Sequence, residues 1–165
     1  MSAQIPLDRF TKELFECLDE TFNEHHGVYL DKGTSLFETL KTVSAAEASR
    51  RAGANCATIA AQVEHVRFYL DVLNDVMQNR AVGKVDWREI WNRVATVTDD
   101  EWHSLLERLE KSYKQVMDTI RTYDYSKGEY GISGSLAILT HTAYHLGGIR
   151  QALCAIRSNS AADPI

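Results

Sequence analysis

The sequence predicts an all-α protein, and the expected architecture is a four-helix bundle with short extra helices in the first and second connections. Three observations predict this class. Apolar residues recur at helical spacing along four long stretches. Nearly all glycine-rich or turn-forming segments fall between those stretches. Alternating apolar residues, Asn-Gly or Asp-Gly hairpin turns and β-branched runs, which would indicate strands, are missing from the sequence.

The first two helices are predicted from apolar spacing and end signals. The first runs from about Pro6 to Asn23, and a proline near a helix start is tolerated. The second starts after Asn55, a residue type favoured at N-caps, and runs to about Asn79. The apolar stripe of the second helix consists of Ile59, Val63, Val66, Leu70, Leu73 and Met77. Charged and polar residues occupy the opposite side, which is typical of an amphipathic helix.

The third and fourth helices follow from a capping box and a long apolar pattern. Thr98 and Glu101 form the capping box that starts the third helix. The fourth helix is predicted over about Ser135 to Arg157. Smaller boxes predict short helices in the connections, at Ser35/Glu38, Ser44/Glu47 and Asp86/Glu89.

Length and charge limit the organisation and the function class. A chain of 165 residues can bury about 70% of its unfolded surface, so neither a disulfide nor a metal is needed for folding. We expect one bundle domain over residues 1–157 and a flexible tail over 158–165. The net charge is −5, with 18 Lys plus Arg against 23 Asp plus Glu. Because affinity for phosphate backbones depends on cationic clusters, this balance disfavours nucleic-acid binding.

The cysteines and the N-terminal sequence favour a cytoplasmic protein. Cys17, Cys56 and Cys154 are an odd number and lie far apart, which argues against a disulfide framework. The first ten residues lack a cationic region followed by an apolar run, so they do not predict a signal peptide. No uninterrupted apolar stretch approaches 18 residues, and no contact with a membrane is expected.

Three of the six histidines are candidate metal ligands. His141 and His145 are four residues apart, which places them on one face of the fourth helix, with Cβ atoms about 5–6 Å apart. Thr142 stands where a zinc protease of the H-E-x-x-H type has its glutamate, so that class is disfavoured. His65 faces inward from the second helix, beside Gln62 and Tyr69. Three neutral imidazoles form an open site for a divalent cation, and Zn²⁺ or Ni²⁺ suits nitrogen ligands best.

At these residues the sequence resembles the DinB-like superfamily, also called the YfiT-like metal-dependent enzymes. The resemblance is carried by His65 within ATIAAQVEHVRFYLDVL, by His141-x-x-x-His145 followed by LGGIRQ, and by the preceding segments GTSLFETL and SAAEAS. It implies a four-helix bundle, a homodimer, and a metal held by His65, His141 and His145. Members include thiol transferases that use bacillithiol, mycothiol or glutathione, and a thiol-dependent maleylpyruvate isomerase. The chain matches nothing of the isomerase's additional domain, which disfavours that activity.

The other histidines and the cysteines have simpler interpretations. His25 and His26 lie in the predicted last turn of the first helix, where they favour the helix dipole. His103 is interpreted as solvated. Cys17 and Cys154 lie on or beside apolar stripes, as structural cysteines do, and only Cys56 lies where a helix N-terminus would activate a thiol.

The tryptophans and two charged residues leave alternatives open. Trp87, Trp91 and Trp102 indicate a local core, with an aromatic wall of a pocket as the alternative. Glu64 is interpreted as a solvated charge because the helical wheel turns it away from His65. Arg150 falls on the apolar side of its helix, which predicts a buried pair with a carboxylate such as Glu38 or Asp31.

The functional prediction is a protein with a triple-histidine site for Zn²⁺ or Ni²⁺. The resemblance implies a metal-dependent thiol S-transferase that acts on a small molecule with a low-molecular-weight thiol as cosubstrate. A metal-activated water would instead make the protein a hydrolase. The alternative is a non-catalytic dimeric bundle that binds a small apolar ligand or a partner helix.

Overall fold

The structure is a computed structural model that describes residues 5–126 and 129–161. Within these ranges every regular element is helical and no strand occurs, which confirms the all-α class. The chain divides into two compact units, Met1–Thr42 and Val43–Ile165. The four-helix bundle and the single domain over 1–157 remain predictions.

The first unit is built from a long and a short helix. Helix α1 spans Leu7–Phe22 and helix α2 spans Leu36–Leu40, so α1 matches the predicted range within a residue at each end. The buried apolar side chains of the two helices are Leu14, Leu18, Phe22, Leu36 and Leu40. Their burial follows the helical spacing read from the sequence.

A buried carboxylate organises the connection between α1 and α2. Glu20 has no exposed surface and accepts hydrogen bonds from the backbone N–H groups of residues 26–29, at 2.8 to 3.1 Å. Burial raises the pKa of the Glu20 carboxyl, but these four hydrogen bonds outweigh it, and the net pKa is lowered. Gly27 takes a positive φ of 82° within this turn, a conformation that glycine adopts without strain.

The second unit is arranged around helix α4. Its helices are α3 (Ala45–Ala48), α4 (Ile59–Met77), α5 (Trp87–Arg93), α6 (Asp99–Thr122) and α7 (Gly131–Ala161). Helix α4 packs against α5, α6 and α7. It can serve three neighbours because it is buried around much of its circumference, including at Ile59, Ala60, Val63, Val66 and Leu70. No helix in the described ranges is both long and apolar enough to cross a membrane.

The capping boxes predict most of the helix starts. Short helices begin after Ser35, Ser44 and Asp86, as expected. Helix α6 begins after Thr98, whose hydroxyl accepts from the backbone N–H of Glu101. The prediction that Asn55 is the N-cap of α4 is wrong. Thr58 caps α4, because its hydroxyl accepts the N–H of Ala61 at 3.1 Å, and residues 55–57 belong to the preceding loop.

Helix α7 is longer than predicted at both ends. It starts at Gly131 rather than near Ser135, because Gly134 serves packing rather than a break. A Cβ on Gly134 would lie 3.0 Å from Cγ of Met77, so the missing side chain lets α7 approach the end of α4. At the other end the helix continues through Ala161, and residues 162–165 of the predicted tail lie outside the described residues.

Candidate metal centre

Two helices bring the three predicted histidines together. Helix α4 supplies His65, and α7 supplies His141 and His145 one turn apart. One ligand nitrogen from each imidazole lies within 4.8 Å of the other two. Nε2 of His65 and Nε2 of His141 are 3.1 Å apart. These residues are 76 positions apart in sequence, so the packing of α7 on α4 creates the cluster.

The donor set suits a nitrogen-preferring divalent metal. Two nitrogens bound to a tetrahedral Zn²⁺ at about 2 Å lie roughly 3.3 Å apart. The observed 3.1 Å between the Nε2 atoms of His65 and His141 is close to that spacing. Three imidazoles suit zinc or nickel better than magnesium or calcium, which prefer oxygen. The cluster could therefore hold a metal ion.

Burial keeps the three imidazoles in the neutral form that binds metals. His65 and His145 are only 6% and 7% exposed, and His141 is half-buried. Burial lowers the pKa of His65. Burial, with the neighbouring histidines contributing, lowers the pKa of His141 to about 3 and that of His145 to about 4. Protons therefore do not compete for these nitrogens at neutral pH.

An aromatic ring lies against each imidazole. Tyr69 stacks on His141, with ring centroids 3.6 Å apart and planes 13° apart. Trp91 stacks on His65, at 4.1 Å and 15°. Tyr144 meets His145 nearly edge-on, at 5.1 Å and 85°.

These aromatic neighbours come from different elements. Tyr69 lies one helical turn after His65, Trp91 comes from α5, and Tyr144 directly precedes His145. Helical spacing predicts Tyr69 beside His65, and Trp91 agrees with the alternative interpretation of the tryptophans as an aromatic wall of a pocket. Tyr144 is a neighbour of the cluster that the sequence did not indicate. The three tryptophans do not form one local core, because Trp87 and Trp91 contact His65 whereas Trp102 is buried and donates to the carbonyl of Val43.

Polar support around the cluster is sparse. The Nδ1 atoms of His65 and His141 are buried and have no hydrogen-bond partner among the described residues. In most metal sites the second imidazole nitrogen donates to a carboxylate or a carbonyl. Aromatic rings lie instead on the faces of the His65 and His141 imidazoles, so shape more than hydrogen bonding fixes these imidazoles.

Glu64 does not provide the missing polar support, and it is not the solvated charge that sequence analysis predicted. The Glu64 side chain is 4% exposed. Its carboxylate lies 2.7 Å from the guanidinium of Arg67 and 3.9 Å from that of Arg108 on α6. The helical wheel was correct in turning it away from His65. Its interpretation as solvated was wrong because α6 covers that side of α4.

A cavity of about 570 Å³ opens beside the cluster. The cavity wall includes His145, a member of the histidine cluster, and Trp91, which lies next to the cluster. The rest of the lining contains no Lys, Arg, Asp or Glu and consists of Tyr144, Cys56, Gln62, Gln151, Gly148 and three alanines. A small molecule bound here would lie against the histidine cluster.

The remaining histidines lie outside this centre. His25 is exposed, and His103 is exposed with Nδ1 2.8 Å from the carbonyl oxygen of Asp99. His26 contacts the carboxylate of Asp19, and this hydrogen bond raises the pKa of His26. Helix α1 ends at Phe22, so His25 and His26 belong to the following loop rather than to the last turn.

Two further expectations change in the structure. Arg150 is exposed and does not lie on the buried side of α7. Helix α7 carries no Lys, Arg, Asp or Glu over its first nineteen residues, and its apolar side chains extend around the helix, so the sequence pattern does not identify one buried side. Among the cysteines, Cys17 is half-buried, and burial raises the pKa of its thiol. Cys56 and Cys154 are exposed, and of the three only Cys56 lines the cavity.

Fold and site together define an all-helical protein with a buried histidine cluster that could bind a metal ion. No model of a known protein family, no curated protein and no solved structure matches the chain significantly. Membership of the DinB-like superfamily therefore remains a prediction from the sequence motifs.

Proposed function

We propose that this protein is a DinB-like metal-dependent enzyme in which His65, His141 and His145 hold Zn²⁺ or Ni²⁺. The observation that carries the proposal is the convergence of three neutral imidazoles from α4 and α7 within 4.8 Å. The Nε2 atoms of His65 and His141 lie 3.1 Å apart, close enough to share a hydrogen bond, and a metal would replace that single contact with a bond to each nitrogen.

The proposed reactions are thiol S-transfer and hydrolysis on a small molecule. A divalent metal in such a site lowers the pKa of bound water to about 7 or binds a thiolate. The chain's own residues supply the ligands and a largely apolar cavity that His145 lines. No carboxylate lines the described cavity, so Cys56, Tyr144 and His145 are the proton-carrying side chains there.

Metal content tests the proposal directly. Protein purified without a histidine tag should hold about one zinc or nickel per chain by elemental mass spectrometry. His65→Ala and His141→Ala should lose most of it, because two imidazoles bind far more weakly than three. His103→Ala is the matched control, since His103 is an exposed histidine outside the cluster. Negligible metal in the wild type, or equal metal in all four proteins, would refute the proposal.

A second candidate is a non-catalytic protein that binds a small apolar ligand in the cavity. The observation in its favour is the pair of Nδ1 atoms, on His65 and His141, that lack the hydrogen-bond acceptors usual around a metal. Metal-free protein that co-purifies with an apolar molecule would support this candidate over the first.

The assembly and the cellular location remain predictions. The sequence motifs imply a homodimer, which light scattering on the purified protein would test. Cytoplasmic location is predicted from the cysteines and the N-terminal sequence, and the lack of nucleic-acid binding is predicted from the charge balance. A steeply salt-dependent affinity for DNA would contradict the second of these expectations.

A further inference from the structure

The wall of the cavity beside His145 carries no fixed charge. None of its described lining residues is Lys, Arg, Asp or Glu. The nearby guanidinium of Arg51 donates to the carbonyl of Cys56 at 2.7 Å, and Arg51 is not among the lining residues. An ionised ligand would lose hydration on entering and would meet no opposite charge in the wall. The cavity therefore favours an uncharged molecule.

The size and the aromatic walls of the cavity limit the shape of that molecule. A volume of about 570 Å³ is within the range of small-molecule sites. Trp91 and Tyr144 supply aromatic surface, and three alanines leave the remaining wall small and apolar. This combination suits a flat apolar body.

Gln62 provides the polar recognition. Its side chain lines the cavity and makes no hydrogen bond to any residue that the structure describes. It lies across Gly148, where an added Cβ would be 3.0 Å from Oε1 of Gln62. Gln151 lines the same cavity. A carboxamide can both donate and accept, so it pairs well with an amide, an ester or an alcohol.

We infer that the cavity binds an uncharged molecule with a flat apolar body and an amide-like group that pairs with Gln62. Such a molecule is the substrate class of the metal enzyme proposed above, and in that sense the inference rests on the proposed function. Charged tripeptide thiols such as glutathione fit this wall poorly, because their carboxylates would be unpaired.

Two isosteric probes test the charge preference. Binding of 2-naphthamide and 2-naphthoate is measured by calorimetry on the wild-type protein, both freed of metal with a chelator and loaded with zinc. The metal-free comparison is decisive, because a carboxylate could also bind zinc itself. We expect 2-naphthamide to bind metal-free protein with a Kd of about 1 mM or lower and at least tenfold more tightly than 2-naphthoate. No binding of the amide, or equal or tighter binding of the carboxylate, would overturn the inference.

A pair of neighbouring glycines tests the role of Gln62. Gly148→Ala places a methyl group against the Gln62 carboxamide and should weaken 2-naphthamide binding severalfold. Gly147→Ala is the matched control, since nothing lies within 4 Å of its added Cβ, and its affinity should be unchanged. Gln62→Leu should weaken binding about three- to tenfold. Unchanged affinity in both Gly148→Ala and Gln62→Leu would overturn the assignment of Gln62.

Zinc stoichiometry on the same preparations separates the two proposals. If the wild type holds no zinc but still prefers 2-naphthamide, the proposed enzyme function fails and the ligand class of the cavity stands. If zinc binds to the three histidines and the amide does not bind, the ligand class fails and the metal site stands.

Discussion

At the scale of single residues, aromatic packing takes the place that hydrogen bonds occupy in most histidine metal sites. The Nδ1 atoms of His65 and His141 lack acceptors among the described residues, while Trp91 and Tyr69 lie flat on the two imidazole rings. A stacked ring restricts rotation of an imidazole about its side-chain bonds without accepting a proton. The orientation of the proposed ligands therefore depends on the shape of their neighbours.

Replacing Trp91 tests this dependence. We expect Trp91→Leu to lower zinc affinity about tenfold, the lower end of the effect of removing an orienting neighbour. Trp91→Phe should retain most of the affinity because a ring can still stack on His65. Competition with a chromophoric chelator measures both. Equal losses in the two variants would indicate general damage to folding, and no loss in either would contradict the orienting role.

Glu64 is the second residue whose role the sequence concealed. Its buried carboxylate pairs with Arg67 on α4 and lies 3.9 Å from Arg108 on α6. Glu64→Gln should lower the free energy of unfolding by about 1–2 kcal/mol, because Arg67 loses the nearly buried one of its two carboxylate partners and keeps only Asp71. Urea unfolding measures the loss. Glu107→Gln, an exposed position on α6, should change stability by less than about 0.5 kcal/mol, and a similar change in both variants would contradict this account.

At the scale of the elements, an ion pair joins the short helix α3 to the end of α7. The guanidinium of Arg157 donates to Glu47 at 2.8 Å, and Glu47 also accepts from the backbone and side chain of Ser44. The hydrogen bond to Arg157, followed by that from the Ser44 backbone, lowers the pKa of Glu47 to about 2. The same carboxylate thus both caps α3 and links it to α7.

This pair predicts a specific loss of stability in acid. A carboxyl whose folded pKa is depressed stabilises the protein above its unfolded pKa, and this contribution is lost as the pH falls from about 4.5 toward about 2. Because Arg157 is 46% exposed, solvent screening limits the ion-pair contribution to about 0.5–1 kcal/mol. The wild type should lose this increment between pH 5 and pH 2, measured by urea unfolding. Arg157→Gln should already lack this increment of stability at pH 5. If the unfolding free energy of the variant depended on pH as that of the wild type does, the ion pair would not be the source of the increment.

At the scale of the whole molecule, the histidine cluster joins the central helix of the second unit to its longest one. His65 belongs to α4, and His141 and His145 belong to α7. A metal bound by all three would oppose separation of these helices. A ligand that binds only the folded state stabilises it by about 2.7 kcal/mol at a hundredfold excess over its Kd.

Metal removal should therefore lower the unfolding temperature. For a chain of this size the expected change between chelator-treated and zinc-loaded protein is about 5–10 °C. Differential scanning calorimetry measures it. The His65→Ala variant should show almost no difference between the two conditions. A zinc-induced shift that persists in His65→Ala would assign the stabilisation to another site, such as the exposed group of Asp19, Glu24 and His26.

The sequence alone predicts the local features of this protein well. Helical spacing predicts the all-α class and the approximate limits of α1 and α4, and side-chain caps predict the starts of α6 and of the short helices. These features depend on residues within one or two turns of each other, so a linear reading contains the necessary information. The errors at Asn55 and at the start of α7 arise where a nearby alternative cap or a packing contact decides the boundary.

The surroundings of the site depend on contacts between distant segments. The sequence identified His65, His141 and His145 as candidates because each is recognisable by type and helix face. It could not show that Trp91 covers His65, that α6 buries Glu64, or that Gln62 lies across Gly148 at the cavity wall. Those facts follow from how α5, α6 and α7 pack on α4. Residue types and periodicity thus determined the helices and the candidate ligands, whereas tertiary packing determined their burial, their aromatic neighbours and the uncharged cavity beside them.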